Sequence, residues 1–162
     1  MQHELTEGDL LDDEGRLVEA GWARREVRRY SRAAIGAPWY RIKEWDYYCV
    51  LAGRYGLACV VADNGYMGLL GVTWLDFEAP QATEESIVTL LPRGRMKLPG
   101  SADAGDIDQH HPKIWMAIRH APGGRRLSID CPGFGKGKGL KADLFLSQPP
   151  MDRMVIATPF AG

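Results

Sequence analysis

The chain has 162 residues, enough for a single domain with a substantial core. Its 20 basic and 21 acidic residues leave a net charge of −1, which supplies no field to gather nucleic acid or an anionic membrane. No apolar run reaches the length of a membrane span, and the polar, acidic opening MQHELTEGDLLDDEG does not read as a secretory signal.

Residues 1–40 read as an irregular arm and residues 41–162 as an antiparallel β domain. Turn chemistry dominates the start of the arm, with Asp12-Asp13-Glu14-Gly15 and then Gly21-Trp22; Leu10, Leu11, Leu17 and Trp22 are the groups that can pin it. Five arginines follow between Arg24 and Arg32. Such a cluster can serve as an anion or phosphate site. A solvated face paired with nearby carboxylates is favoured, because no glycine-rich or helix-opening pattern accompanies it.

The stretch Arg41–Phe77 organises the rest. Asn64-Gly65 is a strong hairpin signal, since a type I′ turn needs two central residues that tolerate positive φ. Centring the turn there pairs Asp63 with Tyr66, Cys59 with Leu70 and Leu57 with Val72. Treating Gly53–Gly56 as the preceding turn pairs Val50 with Cys59, Tyr48 with Val61 and Asp46 with Asp63. Side chains alternate with period 2. One face then carries Tyr48, Val50, Leu57, Cys59, Val61, Leu70, Val72 and Trp74; the other carries Tyr47, Cys49, Leu51, Val60, Met67, Leu69, Leu75 and Phe77. A sheet apolar on both faces is expected to be covered on both, or closed around a filled interior. A cavity for a small lipophilic molecule would be lined by Tyr48, Val61, Leu70 and Trp74.

The same register sets Asp46 beside Asp63, with Tyr66 across from Asp63. Opposed carboxylates repel, and next to an apolar face something must relieve the repulsion. A cation between them, from Arg41, Lys43, Arg54 or Arg119, would make a polar plug. A shared proton would instead make Asp46, Asp63 and Tyr66 candidate catalytic residues for acid–base chemistry on an uncharged substrate.

After Phe77 a polar connection, EAPQATEES, leads to a strand over Ser86–Leu91. Residues 100–112 read as a loop whose Asp106, Asp108, His110 and His111 lack the fixed partners a metal site needs, so no metal is expected. Residues 113–120, 126–131 and 140–146 alternate as an antiparallel meander with one apolar and one polar face. The intervening GFGKGKG lacks the features of a phosphate loop and reads as a wide hairpin loop. A last strand is expected over Met151–Thr158. Cys49, Cys59 and Cys131, without CxxC spacing, read as buried free thiols of a reducing, cytoplasmic compartment, and no cofactor is implied. The expected fold is all-β: an antiparallel meander with little helix, curled into a calycin-like barrel or strongly curved sheet, with a two-sheet sandwich as the alternative.

The segments LLDDEGRLVEAGWAR (10–24), RIKEWDYY (41–48), ADNGYMG (62–68), LPRGRMKLPGSADAGD (91–106) and MVIATPF (154–160) together resemble the bacterial family of domain of unknown function 2804. The resemblance implies a lipocalin-like, two-barrel architecture related to carotenoid hydratase-type proteins, and it implies no established reaction, ligand or catalytic residue. Members of the family run well beyond this length, so the chain looks like the first half of such a protein. Three function classes follow: binding of a small apolar ligand; a hydratase-, cyclase- or isomerase-type half-site using Asp46, Asp63 and Tyr66; or a structural half that packs against a second barrel domain or another copy of itself.

Overall fold

The computed structural model describes residues 3–159. In chain order the strands are β1 (Gly8–Asp9), β2 (Gly21–Ala23), β3 (Arg28–Arg29), β4 (Glu44–Ala52), β5 (Tyr55–Asp63), β6 (Met67–Asp76), β7 (Gln81–Leu90), β8 (Ile107–His111), β9 (Ile114–Ala121), β10 (Gly124–Cys131), β11 (Leu140–Ser147) and β12 (Val155–Ala157). The protein is all-β, as the alternation predicts. Two antiparallel four-stranded meanders, β4-β5-β6-β7 and β8-β9-β10-β11, make up most of it. In the arm β1 pairs with β3 in parallel, and β2 pairs with β12, tying the arm to the C-terminal strand.

The β4–β5 and β5–β6 hairpins of the first sheet each differ from the expected register by two residues. Ala52 pairs with Tyr55, so Gly53-Arg54 is a two-residue turn. The Asn64 N–H donates to the Met67 carbonyl (2.8 Å), which centres the next turn on Gly65-Tyr66. Gly65 has φ +77° whereas Asn64 and Tyr66 stay at negative φ. That is the type II′ pattern, which needs glycine only at the first central position. Contacts from the 91–97 segment hold this choice: the Arg93 N–H donates to the Gly65 carbonyl and the Leu91 N–H to the Tyr66 carbonyl (3.0 and 2.9 Å). A shift of two preserves which face each side chain occupies, so the expected faces are the observed ones.

Two strands go beyond the expected boundaries. β7 starts at Gln81, inside the expected polar connection, and β8 occupies Ile107–His111, inside the expected loop. Both lie at sheet edges. Edge strands are commonly polar, which protects their open side from further pairing and erases the hydrophobic signal. The expected final strand shortens to Val155–Ala157.

The inner faces of the two sheets share one core. Leu57, Cys59, Val61, Leu70, Val72 and Ile87 of the first sheet pack with Ile114, Met116, Ile118, Leu127, Ile129 and Cys131 of the second. Val61, Val72, Met116 and Leu127 are fully buried, each contributing about 1.5–3 kcal/mol of apolar transfer. Among the described residues no ladder joins β4 or β7 to β8 or β11, so the two sheets do not close into a barrel. A smaller core of Leu5, Ala23 and Ala157, backed by Leu10, Leu17, Val27 and Val155, anchors the arm.

The outer faces differ sharply. That of the second sheet is polar and carries ion pairs such as Arg126–Asp143 and Arg119–Asp108. That of the first sheet is apolar, and in this chain it is open: Trp45, Tyr47, Leu51, Val88 and Leu90 are exposed. The expectation that both apolar faces are covered therefore fails within the described residues, because only the inner one meets another sheet.

Candidate functional site

Toward the β5–β6 hairpin the inner face of the first sheet becomes polar. Strand alternation puts Glu44, Asp46 and Tyr48 of β4 and Asp63 of β5 on this face. Glu44 stands opposite Asp63, Asp46 opposite Val61 and Tyr48 opposite Cys59. Asp46 and Asp63 are therefore diagonal neighbours, about 7–8 Å apart at the backbone, and not the directly opposed pair of the expected register.

The two carboxylates do different work. Asp63 is wholly buried. Its Oδ1 accepts the Gly65 N–H (2.9 Å) and its Oδ2 the Met96 N–H (3.4 Å), so it fastens the hairpin to the 91–97 segment. Asp46 is half-buried and accepts no hydrogen bond among the described residues. Burial raises its pKa above the ordinary carboxylate value; the Arg125 guanidinium opposes that shift, Glu26 adds to it and His120 opposes it. Arg125 is buried and donates to the Tyr48 hydroxyl. Burial also raises the Tyr48 pKa, with the Asp46 charge adding to the effect. Glu44 is held by the Arg32 guanidinium and the Tyr30 hydroxyl; burial first, and then the bond to Glu44, keeps that phenol protonated.

Asp46 also lines a small open groove of about 260 Å³ together with Tyr30, Lys43, Glu44, Trp45 and Pro99. A carboxyl whose pKa burial raises, placed next to a groove, can exchange a proton there.

Tyr66 does not join this group. It is exposed, with the Lys43 ammonium 4.0 Å from its ring centroid, and Lys43 itself donates to the Tyr40 and Asn64 carbonyls. Of the cations suggested for a plug, Arg54 holds Asp76 and Arg119 holds Asp108. The expected ligand residues divide as well. Val61 and Leu70 are in the packed core, Tyr48 is at its polar end, and Trp74 is half-exposed at the other end against Tyr55.

A larger open groove, of about 1060 Å³, lies between the arm and residues 148–153. Three of its cations are neutralised, through Arg24–Asp152, Arg25–Glu7 and Arg153–Asp103. Among the described residues no group of three or more His, Cys, Asp or Glu could hold a metal ion. Asp106 and Asp108, in the suspected loop, instead serve the His120 N–H, the Trp115 indole and Arg119.

The second candidate surface is the open outer face of the first sheet. Its cross-strand rows are Trp45-Ala62-Leu69-Val88, Tyr47-Val60-Gly71-Ser86, Cys49-Ala58-Thr73-Glu84 and Leu51-Gly56-Leu75-Ala82, with Met67 beside Leu90. Glu84 is the single charged side chain in these rows.

A family model matches residues 2–162, which is nearly the whole chain, and its family is described as Domain of unknown function (DUF2804). The chain belongs to this family. No curated protein and no solved structure matches it. For this DUF2804 member, chemistry has to be read from its own side chains. Arg125, Glu26 and His120 escaped the sequence reading. A signal for Arg125 existed, because it continues the inward alternation of Leu127, Ile129 and Cys131 by one step.

Proposed function

We propose that this DUF2804 chain is a binding domain that recognises an extended apolar partner of lipophilic character through the outer face of its first sheet. The observation that carries this reading is the contrast between two outer faces built on the same meander plan, one polar and ion-paired, the other apolar and open. Four strands about 4.8 Å apart, each about nine residues at 3.3 Å, make a face on the order of 600 Å². Contiguous apolar patches of that size mark interaction sites. The face is open, with Trp45, Tyr47, Leu51, Val88 and Leu90 exposed, so a counter-surface or a molecule lying along it fits better than one enclosed in a cavity. A hydrophobic dye should bind the native chain and brighten. Replacing Tyr47 and Val88 together with lysine should suppress that signal while the far-UV spectrum is unchanged. A native chain that binds no dye overturns the reading.

A second reading, acid–base chemistry at Asp46, is supported by its raised pKa and its position at a groove. Its reactive set would be Asp46 with Tyr48 and Arg125, Asp63 and Tyr66 being the other two candidates from the sequence. Asp46→Asn should then abolish any hydration or isomerisation of an apolar substrate while leaving dye binding intact. Activity that persists in Asp46→Asn removes this reading.

A further inference from the structure

The apolar outer face ends, at the β5–β6 hairpin, in a set of side chains of a different kind. Lys43 precedes β4, Tyr66 caps the hairpin, Leu90 closes β7, and Leu91 and Arg93 follow it. Hydrogen bonds bring these segments to one place: the Lys43 ammonium to the Asn64 carbonyl (3.0 Å), the Leu91 N–H to the Tyr66 carbonyl and the Arg93 N–H to the Gly65 carbonyl. The Arg93 guanidinium lies 4.4 Å from the Trp39 ring centroid, and Lys43 covers Tyr66.

Among the described residues no carboxylate lies within ion-pair distance of Arg41, Lys43, Arg93, Arg95 or Lys97. Of the carboxylates at this end, Glu44 is held by Arg32 and Tyr30, Asp63 by backbone amides inside the core, and Asp46, in the groove that Lys43 also lines, makes no ion pair among the described residues. The arm is the opposite case. Each arginine from Arg24 to Arg32 has a carboxylate partner: Asp152, Glu7, Glu19, Asp9 and Glu44 in turn. The net charge of −1 thus hides a locally uncompensated cationic end.

We propose that this end of the first sheet docks on an anionic lipid surface. The proposal rests on the apolar-face reading above and names its partner. Three chemistries coincide there. Leu90, 80% exposed, and the exposed Val88 and Leu91 offer aliphatic groups for the acyl boundary. Trp39, Tyr40, Trp45, Tyr47 and Tyr66 are exposed aromatic groups of the kind that settle at the headgroup level. The unpaired cations complement acidic headgroups. Nucleic acid would use the cations and rings but has no use for the aliphatic groups. Protein interfaces are depleted in lysine, and the exposed Lys43 and Lys97 stand beside this patch.

The test is co-sedimentation of the full chain with vesicles of phosphatidylcholine, and with vesicles of phosphatidylcholine mixed with phosphatidylglycerol, read also through tryptophan emission. Binding to the mixed vesicles, a blue shift of the emission and weakening by added salt are expected. Arg41→Glu, Arg93→Glu and Lys97→Glu combined should cost roughly a hundredfold in that binding, since each basic residue near an acidic lipid surface is worth about fivefold. These side chains make no hydrogen bond among the described residues, so the variant should fold, as its far-UV spectrum and dye binding would show. Leu90→Asp should weaken binding to the mixed vesicles with the cations intact. Equal binding to both vesicle types overturns the anionic assignment and leaves the apolar face standing. Dye binding without vesicle binding, a chain of doubled mass that the mixed vesicles do not dissociate, or capture of an oligonucleotide in place of vesicles overturns the lipid assignment. Failure of dye, vesicles and self-association together removes both readings.

Discussion

Asp46 and Asp63 show how far one residue type can diverge on one face of one sheet. Asp63 satisfies two buried amides, so Asp63→Ala strands both donors and should cost about 2 kcal/mol, measured as a lower urea midpoint. Asp46 has the opposite sign. Burial raises its pKa in the folded state, so its ionised form opposes folding above that pKa. Asp46→Asn should therefore hold or raise stability at pH 7, and the difference from the native chain should vanish as the pH falls below the unfolded value of about 3.9. A lower melting temperature for Asp46→Asn at neutral pH would show that Arg125 depends on this charge more than burial penalises it. The two hairpin glycines offer a second contrast. Both have positive φ, but a Cβ on Gly53 meets nothing within 4 Å, whereas on Gly65 it collides with the Trp39 carbonyl oxygen. Gly53→Ala should cost about 1 kcal/mol for the left-handed conformation alone. Gly65→Ala should cost about 3 kcal/mol, because backbone must also move.

Among the elements, the turn end of the β6–β7 hairpin is held by charge. The Arg54 guanidinium grips both oxygens of Asp76 (2.9 and 2.6 Å), and Asp76 also accepts the Glu78 and Ala79 amides (3.1 Å each). The Arg54 hydrogen bond is the main cause that brings the Asp76 pKa down to about 2, with the two amides assisting. A depressed carboxylate contributes stability above its unfolded value of about 3.9, and that contribution is lost as the pH falls through the folded value. Acidification from about pH 4 to about pH 2 should therefore loosen this hairpin. In Arg54→Ala the Asp76 carboxyl should titrate closer to the ordinary range, followed by its carbon chemical shift. An unchanged titration would mean that the two amides alone hold the charge. The edge strands β7 and β8 belong to the same scale. Their polar residues suit a solvent-facing edge, and this is why composition marked them as connections while the ladders marked them as strands.

For the molecule as a whole, the asymmetry of the two sheets is the main result. One sheet is finished, with a core face and a water face. The other has a core face and a second apolar face that solvent reaches. An exposed apolar face favours association, so the native chain should bind hydrophobic dye at low concentration and its apparent mass should rise with concentration unless a lipophilic partner is supplied. A monomer at all concentrations that also binds no dye would show the face to be inert.

What the sequence by itself determined was the set of faces. Period-2 alternation is a local property of the backbone, so the all-β class, the grouping of Leu57 to Val72 on one face, and the one-sided polarity of the second meander were legible residue by residue. The family was legible too, through motifs spread along the chain. Tertiary structure alone decided the rest. The register moved by two because the 91–97 segment binds the Gly65-Tyr66 turn, a contact between residues twenty-five or more positions apart. Asp63 became a fastener because Met96 came to it, and Arg125 became buried because a second sheet faced Tyr48. Whether an apolar face is covered is likewise set by what packs against it. Alternation therefore identified both faces of the first sheet as apolar but held no information about which of them would meet the second sheet.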